Sequence, residues 1–166
     1  MAEGAFLHIS SLSGADSLFE VESAGTVSYQ AGSCPDDRAV RAAKRYGIDI
    51  STIRAKCIHD IDLEGFDRVF AMDVENYNDL LDALGNSSVR VHMMTDFAGS
   101  AQGVEIEDPY YGSEEGFDRT MKRLLHSAEG ILSAMQAEYG ALTAEGYKYK
   151  AEDGKTVKIS DYGDEQ

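Results

Sequence analysis

The chain has 166 residues, enough for one domain with one core. Its 15 basic and 30 acidic side chains leave a formal net charge of −15, which argues against nucleic acid and anionic membrane surfaces as partners, since both need a basic footprint. No apolar run reaches the ~18–20 residues of a membrane span, no basic region and apolar core of a secretory signal opens the chain, and the two cysteines make no disulfide framework. Reduced thiols in a cytoplasmic protein are the expectation, and any address would lie upstream of Met1.

Residues 2–12 are short and weakly amphipathic, with Phe6, Leu7 and Ile9 apolar, and predict a helix. Leu18-Phe19-Glu20-Val21-Glu22-Ser23 alternates apolar and acidic residues and predicts a half-buried strand; residues 25–32 read as loop. Pro35-Asp36-Asp37 starts a helix with an aspartate cap. Val40, Ala43 and Tyr46 supply its buried stripe, and Gly47 ends it. Residues 66–72 are apolar and β-prone, as in a buried strand. Asp73 caps the next helix, whose Val74, Tyr77, Leu81 and Leu84 recur on one face until Gly85 stops it. Residues 89–93 predict a further strand. From Ser113 a long helix carries Phe117, Met121, Leu124, Leu125, Ala128, Ile131, Leu132 and Met135 on one broad apolar face. Beyond Gly140, Tyr147-Lys148-Tyr149-Lys150 and Thr156-Val157-Lys158-Ile159 alternate around Asp153-Gly154, which predicts a hairpin. Strands alternating with helices argue for an α/β domain with a largely parallel sheet, although only three strands precede the hairpin.

Asp108-Pro109-Tyr110-Tyr111-Gly112 is the most informative stretch. It stands with Met1-Ala2-Glu3-Gly4, with Glu22-Ser23-Ala24-Gly25-Thr26, with Pro35-Asp36-Asp37-Arg38-Ala39-Val40, and with residues 66–73 and Asn76. In that order these pieces resemble the low-molecular-weight protein tyrosine phosphatase family. The resemblance covers residues 1 to about 139 and implies a parallel sheet flanked by helices. Residues 140–166 are then an acidic C-terminal extension.

The family resemblance implies hydrolysis of phosphate monoesters, with no metal or other cofactor, on a phosphotyrosine protein or a small phosphate ester. A cysteine thiolate attacks phosphorus from a ring of backbone N–H groups at a helix start. An arginine clamps the phosphoryl oxygens, and an aspartic acid protonates the leaving oxygen and later activates water. By resemblance Asp108 is that acid, Tyr29 and Tyr110 are walls for the phosphotyrosine ring, and Ser23 supports the phosphate loop. The residues themselves permit this role: Pro109 stiffens the loop, and two neighbouring tyrosines are expected to desolvate the carboxyl. Asp-Pro also initiates ordinary turns, and Asp73 reads more simply as a helix cap.

The chain departs from the pattern at the nucleophile. In the family the Cys-x5-Arg loop precedes the segment that Met1-Ala2-Glu3 resembles. Neither cysteine replaces it: the position an arginine would need is Val40 counted from Cys34 and Leu63 counted from Cys57. Ile53 stands near a place where many members carry a loop-bracing histidine. His8, His59, His92 and His126 show no metal-ligand spacing, and the sequence around His59-Asp60 reads as a solvated loop. Lacking an inner strand, the chain would forgo burial of about four large apolar side chains, roughly 6–12 kcal/mol at roughly 1.5–3 each, against a whole-domain stability of ~5–15 kcal/mol. The expectation is an inactive chain that is not a stable free-standing domain unless another segment, such as the C-terminal hairpin, fills the gap. Three functions stay open: a tyrosine phosphatase whose true start lies upstream, a catalytically dead phosphatase-like interaction protein, and an arsenate reductase on the same fold. Oligomeric state is not readable.

Overall fold

The computed structural model describes residues 1–139, so the expected hairpin at residues 147–159 lies outside the described residues. Helix α1 spans Ala2–Leu12 and buries Ala5, Phe6 and Ile9. Its Gly4 lies so close to the strap at residues 48–50 that a Cβ there would stand 2.5 Å from the Ile50 Cγ2. Helix α2 spans Asp37–Lys44 and is capped by Asp36, whose Oδ1 accepts from the Arg38 N–H at 2.7 Å. Gly47, at φ 76°, turns the chain out of it.

Strand β1 (Arg68–Ala71) runs parallel to β2 (Arg90–Met93), in the register Arg68↔Arg90 to Ala71↔Met93. Helix α3 (Val74–Leu84) makes the crossover between them, capped by Asp73, whose Oδ1 accepts from the Asn76 N–H at 2.7 Å. Helix α4 (Glu114–Tyr139) has 26 residues. At 1.5 Å per residue it runs about 39 Å. Its Met121, Leu124, Ala128 and Ile131 are buried against α1 and α2, and this is the main core. Arg41 of α2 and Arg45, just past its end, pair with Glu114 and Asp118 at one end of α4. Glu138 pairs with Arg68 and Arg90 at the other.

Three expectations are corrected. Residues 18–23 form no strand: Asp16–Leu18 is a 3-10 turn, and residues 19–24 are irregular chain. The alternation is real, with Phe19, Val21 and Ser23 half-buried and Glu20 and Glu22 exposed. Among the described residues no strand lies alongside it, so no ladder forms; Ser23 bonds Glu3, Glu22 pairs with Lys56, and Gly25 just beyond bridges Cys57 in parallel. The buried stripe of α2 is Ala39, Ala42 and Ala43, with Val40 half-buried and Tyr46, beyond the helix, half-buried as well. Alanines let α2 approach α4 closely. The buried face of α3 is Leu80 and Leu84, while Val74 and Leu81 are exposed. Both stripes of α3 satisfy helical spacing, and packing against β1 selects the one containing Leu80.

Between residues 19–27 and β1 runs an apolar groove of about 390 Å³. Phe19 and Val21 form one wall, Phe70 and Met72 the other, with Ile131 and Met135 of α4 also lining it.

Candidate active site

The loop carrying Asp108 leaves the core at Ile106, which is buried and donates its N–H to the Met72 carbonyl at 2.8 Å. The loop thus springs from the carboxyl end of β1, where open α/β sheets place their sites. Asp108 Oδ1 accepts from the Tyr110 N–H at 3.0 Å, and the Gly112 N–H reaches back to the Pro109 carbonyl at 2.9 Å. These two bonds make the segment a compact double turn, a geometry that Asp-Pro favours locally.

Side chains from α2 and α4 hold the loop by its carbonyls. Arg38 donates to the Gly112 oxygen at 3.1 Å and to the Tyr110 oxygen at 3.0 Å. Thr120 donates to the Glu107 oxygen at 3.4 Å and Arg123 to the Glu105 oxygen at 3.3 Å. The Arg38 guanidinium also lies 4.5 Å from the Phe117 ring centre and 5.6 Å from that of Tyr110. Its remaining bonds go to Asp36, at 3.1 Å from Nε and 2.8 Å from Nη2. That fork holds the Asp36 carboxyl below its ordinary pKa, chiefly through the side-chain hydrogen bond.

Asp108 itself is exposed. The tyrosines do not cover it: Tyr110 is 51 % and Tyr111 95 % exposed, and they meet each other edge to face, ring centres 5.2 Å apart. Desolvation by these rings, expected from their adjacency in sequence, is therefore not how this loop treats its carboxyl. A small cleft of about 150 Å³ beside Asp108 is lined by Pro109, Gly112, Arg119 and Arg123.

The other candidates lie elsewhere in the fold. Ser23 donates to Glu3 at 2.6 Å beside the start of α1 and lines the large groove. Tyr29 is 80 % exposed in the turn at 28–33 and has no hydrogen bond or ring contact among the described residues. Asp108 and Tyr110 are thus brought together, whereas Ser23 and Tyr29 make no contact with them. Asp73 is a helix cap, as its simpler reading holds. Cys34 is exposed and Cys57 buried, and Ile53 packs half-buried on the main core. Among the described residues no group of His, Cys, Asp or Glu side chains could hold a metal ion, and no helix is long and apolar enough to cross a membrane.

Sequence reasoning missed Arg38 and Arg123. Asp36-x-Arg38 at a helix start hinted at a local pair, but nothing in the sequence announces a partner loop more than seventy residues on.

The sequence model described as low molecular weight phosphotyrosine protein phosphatase matches residues 1–141. The chain belongs to that family. A relative from Synechocystis sp. that bears the family's name is 33% identical over 119 residues, 70% of this chain and 75% of the relative. The low molecular weight phosphotyrosine protein phosphatase of Schizosaccharomyces pombe is 27% identical over 137 residues, covering 81% of this chain and 87% of its own. A crystal structure of a protein tyrosine phosphatase from Entamoeba histolytica superposes with a TM-score of 0.75 at 30% identity, covering 84% of this chain and 88% of that one. The expected α/β fold, a parallel sheet flanked by helices, is the fold of these neighbours. Family and fold together support a protein tyrosine phosphatase function.

Proposed function

We propose that residues 1–139 carry the proton-transfer half of a protein tyrosine phosphatase site and that the 166-residue chain, lacking Cys-x5-Arg, does not turn over by itself. The observation that carries the reading is the acid loop: four of its carbonyls are tied down by Arg38, Thr120 and Arg123, and the one carboxylate at its tip, Asp108, is left open to a reactant.

In the completed site a thiolate supplied by another segment attacks phosphorus, and the bond to the leaving oxygen breaks. Asp108 gives that oxygen its proton, then as carboxylate takes one from the water that cleaves the cysteinyl phosphate. The substrate is a phosphotyrosine protein or a small phosphate ester. Tyr110, beside the acid, and Tyr29 contribute ring-facing walls, and Ser23 supports the phosphate loop from its place beside α1. The strand that would bring such a loop belongs in the groove against the open edge of β1. Neither a metal nor another cofactor has a role, and the setting is cytoplasmic.

With p-nitrophenyl phosphate the 166-residue chain is expected to show no hydrolysis above background. Turnover that disappears in Asp108→Ala would overturn the account, because it would mean a nucleophile exists within these residues. In a longer form bearing Cys-x5-Arg, Asp108→Ala is expected to lower kcat by about 10²–10⁴-fold. A second reading, a catalytically dead relative that binds a partner, is favoured by Ile53, which cannot brace a phosphate loop by hydrogen bonding and packs on the core instead.

A further inference from the structure

The cleft beside Asp108 holds two guanidinium groups with which no carboxylate of the described residues pairs. Gly116, Arg119, Thr120 and Arg123 of α4 line it at i, i+3, i+4 and i+7, so they share one helix face, and that face looks onto the loop carrying Asp108. Thr120 and Arg123 are tied to this loop by one bond each, to the Glu107 and Glu105 carbonyls. A carbonyl takes one of the five guanidinium donors and leaves the charge of Arg123 unmatched. Arg119 makes no hydrogen bond or ion pair among the described residues. Its guanidinium lies back over Gly116, where a Cβ would stand 3.9 Å from Arg119 Nη2 and 3.5 Å from the Pro109 Cβ. Glu107 and Asp108 also line the cleft, yet neither forms an ion pair with these arginines among the described residues, and Asp108 Oδ1 is engaged by the Tyr110 N–H.

The other arginines near the start of α4 are engaged: Arg38 with Asp36, Arg41 with Glu114 and Arg45 with Asp118. In a chain of net charge −15 most of the surface repels an anion, so two unpaired cations in one recess mark the place where one would settle. The recess is also built to admit a group from outside. Gly112 and Gly116 line it without side chains, and its volume of about 150 Å³ has room for a short acidic side chain. We propose that this cleft binds the carboxylate of an aspartate or glutamate that neighbours the phosphorylated residue of a protein substrate, with Arg119 as the specificity-determining residue and Arg123 beside it. The planar fork of an arginine takes a carboxylate through two parallel N–H···O bonds, which fixes direction as well as charge. Because Pro109 and Asp108 form the opposite lining, a carboxylate held there sets the register of the peptide against the acid. A basic neighbour meets two like charges and is disfavoured. The identity of the ligand rests on the phosphatase reading; its charge rests on the two arginines alone.

The test is NMR of the arginine Nε–H groups in the full 166-residue chain, titrated with an end-blocked, unphosphorylated aspartate–tyrosine dipeptide and with its asparagine counterpart. Saturable shifts at Arg119 and Arg123 are expected with the aspartate peptide, at an affinity roughly threefold to tenfold above that of the asparagine peptide. That ratio is expected to fall towards one in Arg119→Gln, to be kept in part in Arg119→Lys, and to shrink as salt is raised. Arg119 is exposed, so these variants leave the core intact. No shifts, or equal shifts with both peptides, would overturn the proposal. So would equal binding of acetate, which would mean a loose anion site with no preference for a peptide. The dipeptide carries no phosphate and no bond is broken, so the result is independent of turnover. Absence of hydrolysis in a longer form bearing Cys-x5-Arg would sink the phosphatase reading and leave the anion site to the NMR ratio. Where that form does turn over, the ratio of kcat/KM between phosphotyrosine peptides with aspartate and with asparagine neighbours is expected to drop by the same factor in Arg119→Gln; an undiminished ratio would remove Arg119 from substrate selection.

Discussion

Arg38 is the residue on which the loop carrying Asp108 rests. Its guanidinium reaches one carbonyl on either side of Tyr111, stacks on Phe117 and is itself oriented by Asp36. Arg38→Ala is expected to speed amide exchange at residues 108–113 by about tenfold while the α1–α4 core stays protected; Arg38→Lys, which cannot span two carbonyls from a planar fork, is expected to rescue only in part. Unchanged exchange in both variants would remove Arg38 from this role. The link to pH follows from Asp36. Its folded pKa is depressed by Arg38, so the stabilisation is complete above the unfolded value of about 3.9 and is lost as pH falls through the lower folded value. His92 sets a second window. Arg68 has only donors, so its contact at 3.2 Å makes His92 Nε2 an acceptor and the ring neutral. Burial first, then Arg68, lowers the His92 pKa. Below about pH 6.5 the unfolded chain protonates before the folded one, and stability declines until the folded pKa is passed. Thermal melts between pH 7.5 and the onset of carboxylate titration are expected to show this slope, and His92→Gln is expected to flatten it. An identical slope in the variant would reassign the effect.

The helices show what periodicity can and cannot settle. The face of α4 was legible from its sequence because seven of its predicted core residues form one stripe and all are buried: Phe117, Met121, Leu124, Leu125, Ala128, Ile131 and Leu132. Helix α3 offered two stripes of equal spacing, and only contact with β1 chose between them. The segment at 18–23 had a strand's pattern without a strand's partner, since alternation reports half-burial rather than pairing. Close helix packing was invisible as well. A Cβ on Gly130 would overlap the Phe97 carbonyl, so α4 touches the loop at 94–98 through bare backbone. Gly→Ala in a helix ordinarily stabilises by about 0.5–1 kcal/mol. Here the clash reverses the sign, and Gly130→Ala is expected to destabilise by about 1–3 kcal/mol, read from urea midpoints. A midpoint at or above wild type would show that the loop yields freely.

At the scale of the whole molecule, two clusters face the groove: the α1–α2–α4 core and a smaller one around Ile58, Ala71 and Leu80. Among the described residues the groove between them is unfilled, so the chain is expected to unfold in urea over a broad transition of low slope, the two clusters coming apart unevenly. A single steep transition would show instead that the two clusters unfold as one unit. Of the proposed site, the adjacency of Asp108 and Tyr110 was legible because one short motif carries both. The staple from α2 and the open edge of β1 arise only in three dimensions, where residues distant in sequence meet. The bridge between Gly25 and Cys57 gives this architecture a built-in clock. It is tied by Gly25 N–H to the Lys56 carbonyl at 2.9 Å and by Ile58 N–H to the Gly25 carbonyl at 3.0 Å, and Cys57 lies 1 % exposed beneath it. Cys34 is open to solvent. A thiol reagent is therefore expected to mark Cys34 at once, and the delayed labelling of Cys57 to time how often the Gly25–Cys57 bridge opens.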